Sequence, residues 1–430
     1  MRDMSCFLAL VRALVLSSLL TGTRASADTE KKYSVWMANS IISRGQGVLT
    51  GEGDSSALLQ AGFTQKGFRR LLEQYSGDSS AGLIEGYVNK SVDSTISTVS
   101  VTTKLTNYPL DRLSNGNNLI DLFLETGDAT YRQSFESLRE SINLQPRNVE
   151  SGLWYYTYKN WSYLDGMYSL APFYSYYTGL FDQDNTTAIA DIVLQLDLLW
   201  EHCYDNATGL LFHGYDESKT AVWANPETGA SPHVWGRALG WYFMALVDTL
   251  ELLPVERQSE EWTGLLDKFR TLACAVVQSA DEASGAWWQL LDQPGREGNY
   301  IESSASAMFV YALLKGERLG FFESATLGTD SPNNDVEIST NASGDNEMEI
   351  VATSTSHAQV ADKAYDYILH NFVVHNGNGT LSYNGTVGVC SLNSTASYEY
   401  YVQRPINYDS VLGSVAFILA SLEHEIKDRE

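Results

Sequence analysis

Basic residues are scarce in this chain. Its 28 Lys and Arg stand against 53 Asp and Glu, a formal net charge of −25. That balance argues against nucleic acid as a partner, which needs a basic footprint, and against an anionic membrane surface, which attracts clustered cations. Cysteine is scarce too, with four in 430 residues, and no C-x-x-C or H-x-x-x-H spacing occurs. A zinc site is therefore not expected, and a chain of this length buries enough apolar surface to fold without covalent staples. Long apolar runs are also missing. The run Ala13 to Leu20 falls well short of the roughly 20 residues that span a bilayer, and no later stretch reaches that length.

That short run has another reading. Arg2 and Arg12 precede its core, and Ala25-Ser26-Ala27 supplies an A-x-A cleavage pattern, so residues 1–27 are expected to be a secretory leader with the mature chain beginning near Asp28. Eight N-x-[ST] sequons, at Asn89, Asn160, Asn185, Asn206, Asn341, Asn378, Asn384 and Asn393, suit an extracellular glycoprotein. Cys203, Cys274 and Cys390 remain after cleavage, enough for at most one intrachain disulfide with a thiol left over.

What is present is helical periodicity. Tyr131, Phe135, Leu138 and Ile142 fall on one face of a helix, as do Ile189, Ile192, Leu196 and Leu199, and again Met244, Val247, Leu250 and Leu253. Twelve segments read this way: near 32–44, 65–76, 80–95, 114–126, 129–142, 166–180, 187–203, 235–253, 260–279, 302–316, 357–372 and 409–427. Strand-like alternation is confined to short stretches around Leu210 to His213 and Ala286 to Leu291. Twelve helices suit six helical hairpins in a ring, an all-α single domain over 28–430 with its functional loops gathered at one end. Residues 323–356, rich in Ser, Thr, Asn and Asp, read as a flexible surface insertion.

The densest aromatic segment runs from Tyr155 to Tyr177 and encloses a single Asp, Asp165, with Tyr155, Trp161, Tyr163 and Tyr168 close by in sequence. Such surroundings strip hydration from a carboxyl group and favour its protonated form, the condition for an Asp that donates a proton near neutral pH. Rings also stack on the C–H faces of sugars. The competing reading makes Asp165 the cap of the helix that follows. Asp111, just after Tyr108-Pro109-Leu110, carries the same two readings. His213 sits in a strand-like turn as a group that titrates near neutral pH. In His233-Val234-Trp235-Gly236-Arg237-Ala238-Leu239-Gly240-Trp241, two Trp flank a cation that could bind a carboxylate in a planar fork. Its glycines suggest close approach of backbone or ligand. Ser303 and Ser304 open an apolar helix and read as candidate caps.

WSYLDGMYSLAPFYSYY, HVWGRALGW, GNYIESSASAMFVYAL and YYVQRPINYDSVLGSVAFILASLE, in that order within 33–423, resemble glycoside hydrolase family 105. Those are the unsaturated rhamnogalacturonyl hydrolases, related to the unsaturated glucuronyl hydrolases of family 88. The resemblance implies an (α/α)6 barrel. It implies an exo-acting reaction in which one Asp protonates C4 of a terminal C4=C5 unsaturated uronic acid and then helps water add at C5, so that the neighbouring sugar is expelled. On that resemblance Asp165 is the acid and base, and Asp111 is a second pocket carboxylate. His213, Trp235, Arg237, Trp241, Tyr163 and Tyr155 contact substrate. Tyr155 stands where many bacterial members carry a His. No metal or cofactor is expected, the substrate is an anionic oligosaccharide from pectin, and the protein is expected to be a secreted monomer. Two other functions fit the same residues: an inverting glycosidase with Asp165 as acid and Asp111 as base, or a noncatalytic sugar-binding protein.

Overall fold

Helices whose apolar residues cover one stripe must find a partner for that stripe, whereas helices apolar on every side must be enclosed. Both kinds alternate along this chain. A computed structural model describes residues 32–51, 56–322 and 356–429. The expected leader at 1–27, and the 323–356 insertion apart from Ser356, lie outside the described residues. Contacts divide the chain into Met1–Lys32 and Tyr33–Glu430, and the barrel belongs to the second unit.

The long helices are α1 (Tyr33–Ser43), α2 (Ala57–Gln74), α3 (Ala81–Val99), α5 (Gly116–Thr126), α6 (Ala129–Leu144), α7 (Asp165–Phe181), α8 (Thr186–Cys203), α9 (Gly236–Leu252), α10 (Glu260–Gln278), α11 (Ser303–Arg318), α12 (His357–Asn371) and α14 (Val411–Lys427). Short helices α4 (Thr102–Leu105) and α13 (Tyr398–Val402) and a 3-10 turn (Leu110–Asn115) fill the connections. Helices α2, the 3-10 turn with α5, α7, α9, α11 and α14 pack each on the next, and α14 returns to α2, closing an inner ring. Helices α3, α6, α8, α10, α12 and α1 pack outside them, on α2, α5, α7, α9, α11 and α14 respectively. The result is an (α/α)6 barrel. In the inner helix α9 every residue from Gly236 to Leu250 is buried, while the outer α6 buries only the stripe Ser134, Phe135, Ser137, Leu138, Ser141 and Ile142.

Eleven expected helices begin and end within a few residues of the observed ones. The exception is α2, which starts at Ala57 rather than near 65. Its first turns are buried nearly all round, at Leu58, Leu59, Ala61, Gly62 and Phe63, so they carry no polar stripe to mark a period. The helix expected to be capped by Ser303 or Ser304 is instead capped by Glu302, whose carboxylate accepts from Ala305 N at 2.7 Å.

Three two-stranded antiparallel ribbons connect the helices. β1 (Trp161–Tyr163) pairs with β2 (Gly214–Asp216), with Tyr163 opposite Gly214. β3 (Val373–His375) pairs with β4 (Leu381–Tyr383), and β5 (Thr386–Val387) with β6 (Ile406–Asn407). The alternation at Ala286–Leu291 corresponds to isolated bridges, Trp288 to Ile301 and Trp235 to Leu290.

The inner helices all run the same way. Ser56 and Leu59 at the start of α2, Asp111 in the 3-10 turn, Asp165 of α7, Trp235 and Arg237 of α9 and Leu412 of α14 line one cavity. Beneath it the bore is filled by Phe63, Tyr168 and Trp241, with ring centroids 4.5–5.4 Å apart. Farther along α9 and α11 lies an ion network centred on the buried Asp248 and Lys315. Asp248 accepts from Lys66, from Lys315 at 2.6 Å and from the Tyr311 hydroxyl at 2.8 Å, and Lys315 also reaches Glu251 at 2.7 Å. Burial opposes ionisation of Asp248, but Lys315 and Lys66 outweigh it and hold its carboxyl below the usual range.

Candidate active site

The β1–β2 ribbon builds the first half of the site. Its register carries the chain so that Leu164 N donates to His213 O at 3.1 Å, and the next residue, Asp165, opens α7. Leu164 takes the N-cap position and no side chain caps this helix, so Asp165 is not a cap. Its Oδ2 is buried without a hydrogen-bond partner and lies 3.1 Å from His213 Nε2, off the line of a hydrogen bond. His213 is fully enclosed between Tyr163, edge-on at 5.3 Å, and Trp235 at 4.8 Å. Gly166 makes room for this corner, since a Cβ there would sit 3.0 Å from Leu110 and 3.2 Å from Tyr155.

Asp111 supplies the second carboxylate. Pro109 occupies the N-cap of its 3-10 turn without a side-chain cap, so the capping reading fails here as well. Asp111 Oδ2 accepts from the Tyr155 hydroxyl at 2.8 Å, and Oδ1 is buried without a partner. Burial pushes its carboxyl up to about 7, opposed by the Tyr155 hydrogen bond and reinforced by the charge of Asp165. Tyr155 in turn stacks on Tyr163 at 4.4 Å with an interplanar angle of 11°, and Tyr158 lies beyond at 6.2 Å.

Arg237 lies in the wall and stacks over Trp235 at 4.7 Å. Its fork is engaged by protein. The two terminal nitrogens donate to Val387 O at 2.5 Å and Gly388 O at 2.8 Å. Glu302 takes the other side of the same strand, accepting from Val387 N at 3.0 Å. Together they clamp the chain that brings Cys390 and Ser391 into the wall. Trp241 closes the floor. The glycines near Arg237 answer to helix packing, because a Cβ on Gly240 would fall 2.9–3.0 Å from Met308 of α11.

The cavity measures about 140 Å³, and Asp111, Asp165, Tyr155, Tyr163, Trp235, Arg237 and Trp241 all line it. His213 stands behind Asp165. Thus the structure brings together every residue singled out as catalytic or substrate-binding. It adds Tyr156, Tyr158, Cys390 and Ser391 to the wall and Tyr401 behind His213, its hydroxyl 2.8 Å from Nδ1. Nothing in the sequence distinguished Tyr401 from its neighbours in a Tyr-rich segment. Cys203, Cys274 and Cys390 are all free thiols. Among the described residues, no group of three or more His, Cys, Asp or Glu is placed to hold a metal ion, and no helix is long and apolar enough to cross a membrane.

Residues 37–331 match the model of Glycosyl Hydrolase Family 88. The chain belongs to this family. A solved glycoside hydrolase of family 105 from C. acetobutylicum ATCC 824 is 34% identical, with a TM-score of 0.76, and covers 92% of this chain and 100% of its own. The family 88 fold extends to the unsaturated glucuronyl hydrolase of Bacillus sp. GL1, at a TM-score of 0.58 and 12% identity over 92% of this chain and 95% of that one. At that identity the likeness is one of fold. Among curated relatives, protein Atu3128 of Agrobacterium fabrum is 50% identical over 115 residues, which are 27% of this chain and 48% of that protein. The unsaturated rhamnogalacturonyl hydrolase YesR of Bacillus subtilis is 31% identical over 115 residues, 27% of this chain and 30% of that protein. The chain thus spans about half the length of the first of these relatives and less of the second.

Proposed function

We propose that this family 88 member hydrates the C4=C5 double bond of terminal unsaturated uronic acids on pectin-derived oligosaccharides and so releases the neighbouring sugar. The observation that carries the reading is the pair of buried carboxylates, Asp165 and Asp111, neither of them engaged in capping, facing one aromatic cavity. Asp165 gives its proton to C4, and positive charge develops at C5 and the ring oxygen. Water then adds at C5 while the Asp165 carboxylate takes a proton from it, which restores the acid. The hydrated C5 is a hemiketal. Its ring opens and the aglycone leaves as an alcohol, so the net change is the addition of one water molecule. Asp111 holds substrate beside it, and Tyr155, Tyr163, Trp235 and Trp241 supply ring faces.

The small cavity supports an exo-acting enzyme. At about 140 Å³ it falls below the roughly 300–1,000 Å³ of pockets for drug-sized ligands, and the Phe63–Tyr168–Trp241 floor leaves no through passage. A single terminal ring fits such a dead end better than the middle of a chain. The match to the Bacillus subtilis unsaturated rhamnogalacturonyl hydrolase supports rhamnogalacturonan fragments as the source, and the leader pattern at 1–27 supports secretion.

The test is a panel of lyase-digested pectin, rhamnogalacturonan, ulvan and glycosaminoglycan fragments followed by ultraviolet absorbance. Loss of the double-bond absorbance, fastest on rhamnogalacturonan fragments, is the expected result. Cleavage of saturated oligosaccharides with no absorbance loss on any digest would reject the reading in favour of an inverting glycosidase.

A further inference from the structure

Behind the cavity, three side chains form a line. The Tyr401 hydroxyl lies 2.8 Å from His213 Nδ1, and His213 Nε2 lies 3.1 Å from Asp165 Oδ2. Tyr401 and His213 are both fully buried, and Tyr401 is outside the cavity wall. We propose that Tyr401 is a positioning residue whose hydroxyl donates to His213 Nδ1 and fixes the imidazole as its neutral Nε2–H tautomer, so that an N–H faces Asp165 Oδ2 and the reactive proton of Asp165 is confined to Oδ1. The rate consequence rests on the function proposed above; the tautomer does not.

The argument is one of donors and acceptors. A phenol has one proton to give, and a neutral imidazole has one donor and one acceptor nitrogen. Burial, with smaller contributions from nearby Cys390 and Tyr400, raises the Tyr401 phenol well above its ordinary value, so it keeps its proton. His213 is the hydrogen-bond partner of that hydroxyl among the described residues. If Tyr401 donates to Nδ1, its proton is satisfied and Nε2 carries its proton 3.1 Å from a carboxylate oxygen, off the line of a hydrogen bond. If Nδ1–H donates instead, a buried phenol proton has no acceptor, and the Nε2 lone pair faces the Oδ2 lone pairs. Buried polar groups left unpaired are strongly disfavoured, so the first arrangement holds. Tyr401 is itself anchored for this task. It lies on α13, whose N-terminus is capped by Ser397 accepting from Tyr400 N at 3.3 Å, and Gln289 Nε2 donates to Tyr401 O at 3.3 Å.

For catalysis, an N–H held 3.1 Å from Oδ2 does two things. It stabilises the carboxylate that remains once the proton has moved to C4, and it leaves Oδ1 as the atom that gives and later retrieves the proton. A free imidazole could turn a lone pair toward Asp165 and draw the proton onto Oδ2, away from substrate.

The experiment is long-range ¹H–¹⁵N correlation on ¹⁵N-histidine-labelled protein, with His213 identified by the signals lost in His213→Asn. The wild-type ring should be neutral and protonated at Nε2. In Tyr401→Phe, the His213 signals should move toward the Nδ1–H form, and kcat on the absorbance-losing substrate should fall roughly 2- to 13-fold, the ordinary worth of one neutral hydrogen bond, with KM nearly unchanged. A wild-type ring protonated at Nδ1 or at both nitrogens overturns the proposal. So does a folded Tyr401→Phe protein whose His213 pattern or kcat matches wild type. If no unsaturated substrate is turned over, the nitrogen pattern still decides the tautomer, and the failure of the substrate reading is seen separately.

Discussion

Asp165 and Asp111 face one cavity with different partners, and substitution separates their roles. Asp165→Asn should fold with an unchanged melting temperature and lose activity by at least about 10²–10⁴-fold, because an amide can neither protonate C4 nor accept a proton from water. Loss of double-bond absorbance under single-turnover conditions measures this. Asp111→Asn should do something further. Its native carboxyl keeps a proton up to about 7, while in the unfolded chain it ionises near the usual 3.9. The native state therefore holds more protons across that window, and stability falls as pH rises from about 4 to about 7 and stays lower above it. Removing the group lifts that penalty, worth at most about 4 kcal/mol. The variant should thus melt higher than wild type at pH 8, match it near pH 3.5, and be impaired in turnover at both. Equal melting at pH 8 would show that the Asp111 carboxyl is not lifted. The sequence pointed to Asp165 through the rings around it. It was silent on Asp111, because the burial that lifts its carboxyl is made by distant segments, and the hydroxyl that partly offsets it belongs to Tyr155, 44 positions away.

At the level of elements, the outer helices were legible because each shows a polar face to solvent, and the long inner ones because their apolar runs end in clear stops. What periodicity misses is short or enclosed: the 3-10 turn holding Asp111, the first turns of α2, and α13, which carries Tyr401. Strand pairing over long sequence separations is equally invisible, and β5 meets β6 only through Val387 opposite Ile406 and Thr386 opposite Asn407. That ribbon is where Arg237 acts as an element-level tie. Arg237→Ala removes the guanidinium donors from the buried carbonyls of Val387 and Gly388, leaving Gly388 O only the weak Cys390 thiol, at up to about 1–3 kcal/mol each. Arg237→Lys keeps the charge, but an ammonium does not reproduce the planar fork. Amide hydrogen exchange across 386–391 should accelerate in both variants, more in Ala, with KM rising in the same order. Unchanged exchange in Arg237→Ala would refute the clamp.

Taken as a whole molecule, the barrel keeps charge inside as well as outside. The Lys66–Asp248–Lys315–Glu251 network has Asp248 and Lys315 buried and Glu251 reaching solvent, and its members come from α2, α9 and α11, so no stretch of sequence displays it. Lys315→Met should cost about 3–5 kcal/mol in denaturant unfolding, the usual penalty for removing one partner of a buried pair. Turnover per folded molecule should not change, since the Phe63–Tyr168–Trp241 layer separates the network from the cavity. At the other end of the barrel, the shared direction of the inner helices has an electrostatic consequence. Each helix start carries roughly half a positive elementary charge from its aligned peptide dipoles, an effect confined to its first turn. The wall of the cavity is made from such starts, so in an acid-rich protein of formal charge −25 their partial positive charges lie beside Asp111 and Asp165, where an anion would bind. The two fields differ in range. Salt screens the long repulsion first, because the Debye length shrinks from about 30 Å at 0.01 M to about 8 Å at 0.15 M, while the peptide dipoles act at contact. For the uronate substrate proposed above, kcat/KM should therefore rise with ionic strength between those two concentrations, opposite to the fall seen when a cationic enzyme steers an anion to its site.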